Sequence, residues 1–196
     1  MLRLEAGEAR DTVMTVTTAK WTLDDYHRMI EVGLLANRPV ELLNGEIIEM
    51  PPEGPEHAYL GDESGTYLSQ LLGDRAKVRE GRPITLPNNS EPEPDLAIVR
   101  PLGRIYRQRH PYAEDVFWLI EFANTSLAKD LEIKRRAYAA AGIEDYWVVN
   151  LKNRHLKVFR EPVDRDYTRQ LTLTTGEIQP LAFPDVRVSV QRLLEG

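Results

Sequence analysis

Apolar residues along the chain fall into short runs parted by joints rich in proline, glycine and asparagine. The run from Val116 to Phe122 is apolar on both alternating faces, as a strand covered on both sides would be, except at Glu121. Asn124, Thr125 and Ser126 follow with turn and N-cap chemistry, and Leu127 to Ala141 repeats with a helical period. Gly142 ends that segment, and Tyr146 to Val149 starts another apolar strand. Strand, helix and strand with short joints predict a crossover unit, two parallel strands covered by the helix between them.

The rest of the chain reads outward from this unit. Thr22 ahead of Leu23, Asp24 and Asp25 predicts a capped helix running to about Ala36, with Tyr26, Met29, Ile30 and Leu34 on one face. Asn44-Gly45 between Val40–Leu43 and Glu46–Met50 predicts a hairpin with a type I′ turn. After the break at Pro51, Pro52, Gly54 and Pro55, a helix is expected from Glu56 to Leu72. Val78, Ile84 to Leu86 and Asp95 to Val99 read as short strands. Leu156–Phe159, Tyr167–Leu173 and Glu177–Gln179 form a β-meander pattern, and a short helix, Val190–Leu194, closes the chain. The expected fold is α/β (α+β), a mixed central β-sheet flanked by helices, with the Asp95 and Glu121 strands near its middle. Residues 1–18, polar and weakly patterned, are expected to be a flexible N-terminal arm, and residues 19–196 a single domain.

Two charges in the crossover unit sit where charges are costly. Glu121 lies within an apolar strand. On the following helix, at about 100° per residue, Lys134 falls in the middle of the face made by Leu127, Leu131, Tyr138 and Ala141. Asp130 lies at the margin of that face, whereas Lys129, Glu132 and Arg136 point to water. An inward charge costs several kcal/mol unless it is paired or bound. A buried Glu121–Lys134 ion pair would meet that demand, and so would half of an active site. Asp95, at the entrance of its strand, can supply a second carboxylate if the two strands are neighbours. Paired carboxylates repel unless a hard divalent cation sits between them, and oxygen donors suit Mg²⁺ or Mn²⁺ rather than zinc. Backbone carbonyls near Phe122 could complete such a shell. Trp118, Trp147 and Tyr138 are expected in the core.

Composition narrows the setting. The 196 residues are 42% hydrophobic, enough for one core, and contain no cysteine, so disulfides and thiolate metal sites are excluded. No apolar run reaches membrane length and no leader pattern opens the chain, so a cytoplasmic protein without a membrane partner is expected. The net charge of −6 argues against a general nucleic-acid coat. Two local basic clusters remain, Arg100, Arg104, Arg107, Arg109 and His110, and Lys129, Lys134, Arg135 and Arg136. Either would also serve as an ordinary solvated surface.

The stretches VELLNGEIIEM, EPDLAIVRP and FWLIEFANTSLAKDLEIKRRAYAAAGIEDYWVV resemble the Uma-two family of proposed restriction endonucleases, within the PD-(D/E)xK nuclease superfamily. The resemblance spans about Thr22 to Arg160. It implies a restriction-endonuclease-like core and a magnesium-dependent DNA endonuclease acting as a homodimer. Pro94-Asp95 and Glu121 match the acidic half of the signature. Ala123 stands where the signature's lysine would be, and Lys134 on the next helix matches the position to which that role is transferred. Glu41 and His57 match positions of the same residue type, as second-shell or substrate-facing candidates. Relatives commonly read Ser-Pro-Ser where this chain has Asn124-Thr125-Ser126. A catalytically silent nucleic-acid- or partner-binding module of the same fold is the alternative. A glycosidase-like acid/base pair ranks below both, since it leaves Lys134 without a role.

Overall fold

A computed structural model describes residues 17–124 and 129–196. Thr22 opens α1 (Leu23–Glu31) with a full capping box: its hydroxyl accepts from Asp25 N, and the Asp25 carboxylate accepts from Thr22 N. The helix ends at Glu31, short of the expected Ala36, because Gly33 takes a positive φ of 76° and turns the chain away. β1 (Val40–Leu43) and β2 (Glu46–Glu49) form the expected hairpin, with Asn44 and Gly45 at φ 50° and 77°. A side chain at Gly45 would also press on Trp21 and Lys20.

Pro55 then starts α2 (Pro55–Leu72), and β3 (Lys77–Glu80), β4 (Leu96–Val99) and β5 (Val116–Ala123) follow. Next come a π-helical turn, Lys129–Lys134, and α3 (Arg135–Ala140). β6 (Asp145–Asn150), β7 (His155–Val163) and β8 (Asp166–Leu173) complete a six-stranded sheet of order β3-β4-β5-β6-β7-β8. The β5–β6 pair is parallel and the other pairs are antiparallel, so the crossover forms as its pattern predicts. The protein is a mixed α/β fold with a central mixed sheet flanked by helices.

Four local expectations differ. Ile84–Leu86 makes only isolated bridges, Thr85 to Tyr112 and Leu86 to Ser90, rather than a strand. The helix expected over Leu127–Ala141 is a π-turn followed by a short α-helix; Thr125, Ser126 and Leu127 lie outside the described residues, as does the expected arm over 1–16. The first two strands of the meander pattern, added to the core in the expected fold, form the β7–β8 edge of the central sheet itself. Its last strand, β9 (Glu177–Ile178), leaves the sheet to pair with β10 (Val188–Ser189), ahead of α4 (Val190–Glu195).

Alternation along the strands divides the core in two. Leu96, Ile98, Trp118, Ile120, Phe122 and Trp147 face α2 and α4. Ala97, Val99, Leu119, Ala123, Tyr146 and Val148 face Tyr138 of α3. Trp118 and Trp147 are core residues, as expected. Asp145, at the head of β6, ties the C-terminal segment to this core. It is fully buried and accepts from Arg160 Nε at 2.8 Å, Arg160 Nη2 at 3.1 Å, Trp147 Nε1 at 2.6 Å and Leu181 N at 2.9 Å. Arg160 also donates to Gln179 O at 2.7 Å. Burial pushes the Asp145 carboxyl up, and the Arg160 guanidinium opposes that rise.

These contacts set stability in two measurable ways. Asp145→Ala leaves a buried guanidinium unpaired, and urea unfolding should report a loss of about 3–5 kcal/mol; a loss under about 1 kcal/mol would mean the network is not buried. Asp115, just ahead of β5, feels burial pushing its carboxyl up, but Arg109 and the Tyr112 N–H outweigh it and hold the carboxyl below its ordinary range. Its stabilisation is therefore present above the unfolded value of about 3.9 and lost as pH falls through the depressed folded value. Thermal melts of wild type and Asp115→Asn should differ at neutral pH and converge in strong acid.

Candidate active site

Proline sets the position of the first carboxylate. Pro92 and Pro94 hold the approach to β4 extended, leaving Asp95 at the strand's entrance. There its Oδ2 accepts from Phe122 N of β5 at 2.6 Å. That bond seats Asp95 beside Glu121, the preceding residue of β5. Leu119, Glu121 and Ala123 share the sheet face covered by α3, so Glu121 points under the helix.

Lys134 meets it there. Its Nζ lies 2.9 Å from Glu121 Oε1, and Tyr138 donates its hydroxyl to the same oxygen at 2.8 Å. Glu121 is 2% exposed and Lys134 3%. The buried ion pair anticipated as the simpler account of these charges is thus present. Its surroundings go beyond a pair.

Glu41 is the third member, and the hairpin aims it. Val40 and Leu42 pack against Tyr26 and Leu35, so alternation turns Glu41 to the opposite side. It is fully buried, with Oε2 3.4 Å from Lys134 Nζ and Oε1 2.9 Å from Lys129 Nζ. Its Oε2 also accepts from Glu93 N at 3.2 Å. Lys129, expected on the wet face, is turned inward. A π-turn closes i→i+5 hydrogen bonds, so residues five apart come close to alignment, whereas an α-helix would splay them. Lys129 and Lys134 consequently reach one carboxylate from successive turns.

Lys129 and Lys134 line a cavity of about 610 Å³ together with Glu53, His57, Glu93, Asp95, Glu121 and Asp130, over the start of α2, with Glu41 buried behind them. Carboxylates outnumber ammoniums there. Burial pushes the Glu121 carboxyl well up; Lys134 opposes, but Asp95, Asp130 and Glu41 add to the rise. Burial alone would lower the Lys134 pKa, yet Glu121 and Glu41 reverse this and hold it above the ordinary lysine value, so it stays an ammonium. Burial also raises Glu93, with Glu41 adding to it. For Glu41 itself the two lysines overcome burial and hold the carboxyl low.

His57, on the first turn of α2, adds a nitrogen. Its Nε2 is 3.1 Å from Asp95 Oδ2 but out of line for a well-formed hydrogen bond, and this buried atom has no other partner among the described residues. Burial would lower its pKa, and Asp95 more than offsets that. Ligand atoms of Glu53, His57 and Asp95 all lie within 4.8 Å of one another, the spacing of donors around one cation. The five residues singled out from sequence, Glu41, His57, Asp95, Glu121 and Lys134, therefore meet at one place. Glu53 and Glu93 line the cavity without having been singled out, and Lys129 lines it although its helical position pointed to water. Glu53 and Glu93 sit in proline-rich joints that carry no periodicity to betray a facing. Tyr138 is buried as expected, but its hydroxyl belongs to the site.

The mixed sheet with its single parallel crossover, flanked by helices, agrees with the expected restriction-endonuclease-like core. The chain belongs to the family described as "Uma2: Putative restriction endonuclease", whose profile matches residues 23–191. It is also similar to a crystal structure described as "a putative nuclease belonging to DUF820" from Anabaena variabilis. That likeness has a TM-score of 0.68 at 16% identity, covering 88% of this chain and 96% of the other, and it concerns the fold. Among curated proteins, none matches.

The buried cluster predicts a stability signature. Lys134→Met leaves Glu121 and Glu41 facing each other without their shared cation and should cost about 3–5 kcal/mol in urea unfolding. Adding Glu121→Gln should restore part of that loss; two independent, additive losses would mean the groups do not interact.

Proposed function

We propose that the protein is a metal-dependent DNA endonuclease that hydrolyses phosphodiester bonds, with Asp95 and Glu121 holding Mg²⁺ or Mn²⁺ and Lys134 as the cationic catalytic group. The observation that carries this reading is the convergence of Asp95, Glu121 and Lys134, from three separate elements, on one acidic cavity. Two further features fit a cation. The buried Nε2 of His57 has no aligned hydrogen-bond partner among the described residues, and the Glu121 carboxyl is raised by burial and further by neighbouring carboxylates whose charge a dication would offset. Glu53 and His57 are the additional donors within reach of Asp95. A nitrogen donor in the set favours Mn²⁺ over Mg²⁺, which prefers oxygen throughout.

When bound, the cation lowers the pKa of a coordinated water and stabilises charge developing at phosphorus. The chain's own groups supply the rest. Phe122 N fixes the Asp95 carboxylate, leaving no rotamer search at the reacting position. Glu121, Glu41 and the Glu93 carbonyl, at 3.4 Å, hold the Lys134 ammonium in place. Being charged and preorganised, it can donate to the attacking water or to a non-bridging phosphate oxygen as negative charge builds. Glu41 and Tyr138 position Lys134 and Glu121 and touch no reacting atom. Duplex cleavage through one such site per chain calls for two copies, so we expect a homodimer of 22.5 kDa subunits on DNA.

A silent module of the same fold has one observation in its favour: Glu121 Oε1 is already committed to both Lys134 and Tyr138. Plasmid nicking in Mg²⁺ or Mn²⁺ separates the two readings. Cleavage should vanish in EDTA and fall on the order of 100-fold in Asp95→Ala, Glu121→Gln and Lys134→Met. Equal nicking by wild type and all three variants would identify a contaminant and end the nuclease reading.

A further inference from the structure

The basic cluster between β4 and β5 plays no part in the cavity. Arg100, Arg104 and Arg107 of this cluster lack a carboxylate partner, as do Arg28, Arg136, Arg165 and Arg192 elsewhere among the described residues; what distinguishes the first three is their grouping with Arg79 and Arg82. Arg38, Arg75, Arg109, Arg135, Arg154, Arg160, Arg169 and Arg187 each pair with a carboxylate. Arg79, Arg82, Arg100, Arg104 and Arg107 make no such pair with any carboxylate among the described residues. The nearby Asp115 is already matched by Arg109.

Local geometry gathers these five. The segment Gly103–Arg107 is a 3₁₀ turn, in which residues three apart eclipse. Arg104 and Arg107 therefore project together, and both are exposed. Tyr106, in the adjacent column, faces the protein: its hydroxyl donates to Arg100 O at 2.7 Å, and its ring lies 5.4 Å from the Arg79 guanidinium. Arg100 is held over the Phe117 ring at 5.2 Å and donates to Glu114 O. Arg79, half-buried on β3, donates from Nη2 to Pro83 O at 3.5 Å, and its buried Nε has no hydrogen-bond partner among the described residues. Burial and the neighbouring Arg82 both press its pKa below the ordinary value, as expected where positive charge lacks a counter-ion. Such charge is costly in the free protein unless an anion answers it.

The ledge runs into the cavity. Gly81 lines it, two residues beyond Arg79, or roughly 7 Å at the strand rise. Arg82 follows directly. A strand of nucleic acid whose phosphate sat in the cavity would carry its neighbouring phosphates over Arg82, Arg79 and the Arg104–Arg107 pair.

We propose that this ledge, made by Arg79 and Arg82 beyond β3 and by Arg100, Arg104 and Arg107 around the 3₁₀ turn, binds the phosphate backbone of a nucleic-acid duplex entering the cavity. The proposal rests on the nuclease reading and supplies its missing binding surface. The contacts are to phosphate and read no sequence.

The test uses fluorescence anisotropy of a labelled random-sequence duplex of about 30 base pairs, roughly 100 Å long, with Ca²⁺ as the only divalent cation. Wild type should bind with a steep dependence on salt. The double variant Arg104→Ala/Arg107→Ala should bind more weakly and lose about 2 from the slope of log K against log salt. Arg104→Glu/Arg107→Glu should abolish binding, while Lys152→Ala/Arg165→Ala, beyond the ledge, should match wild type. Unchanged thermal melts would show that these exposed substitutions leave the fold intact. Equal affinity and slope in the ledge and control variants would overturn the ledge, and continued plasmid nicking would leave the nuclease reading standing. Loss of binding in the ledge variants, with no hydrolysis by wild type in any metal, would keep the ledge and end the hydrolytic reading. Failure of wild type to bind duplex at low salt would overturn the ledge outright.

Discussion

A carboxylate in the middle of an apolar strand must be answered by charge, and the contact between Glu121 and Lys134 is that answer. Both groups are almost wholly buried at the cavity wall, so each makes the other tolerable. Replacing such a pair with apolar residues of similar volume is often neutral or stabilising by about 1–4 kcal/mol. Stability alone therefore gives poor reason for this core to hold two charges. The pair also constrains its surroundings. Glu121 must lie where β5 passes beneath the turn before α3, Lys134 must face inward, and Glu41 must balance the ammonium from the hairpin side. The crossover, the hairpin and the proline-rich approach to Asp95 meet around this one contact.

Much of this is legible in the sequence because it follows from period and from local chemistry. The capping box at Thr22, the Asn44-Gly45 hairpin and the apolar run of β5 each carry a residue-level signal that tertiary structure does not override. Glu121 and Lys134 stand out because each breaks the pattern of its own element. Asp95 is recognisable from its place after Pro94. The residues that do not stand out have no such pattern. Glu53 and Glu93 lie in joints where facing is set by proline geometry and not by periodicity. Lys129 reads as outward because a rotation of 100° per residue presumes an α-helix, and the π-turn changes that rotation. Ile84–Leu86 has strand composition but no neighbouring edge along which to form a ladder.

The π-turn itself connects local backbone to site chemistry. Local propensity gives no reason to widen a helix at Lys129–Lys134, a segment of ordinary helix formers. The electrostatics of Glu41 do give one. Its two carboxylate oxygens are used separately, one by each lysine, and the pair of ammoniums holds its carboxyl low in spite of burial. An α-helical turn would leave Lys129 facing solvent and Glu41 with half its present compensation. Charge-assisted pairing of both oxygens of a buried carboxylate outweighs the small cost of a single wide turn.

Charge segregation then reconciles an acidic chain with an anionic partner. The net charge of −6 is a poor guide, because exposed charges interact only over about 10 Å at 0.1 M salt. Within that radius the molecule has two opposite characters. The cavity concentrates carboxylates around the ammoniums of Lys129 and Lys134, which disfavours a bare phosphate and favours a cation. The arginine ledge beyond β3 has no carboxylate partner among the described residues and presents the reverse field. Because Glu121 and Asp130 are buried and the guanidiniums of Arg104 and Arg107 exposed, an approaching polyanion meets the ledge before it feels the depth of the cavity. Each region would work poorly if the two were mixed: lysines spread through the cavity would displace a metal, and carboxylates on the ledge would cancel its attraction.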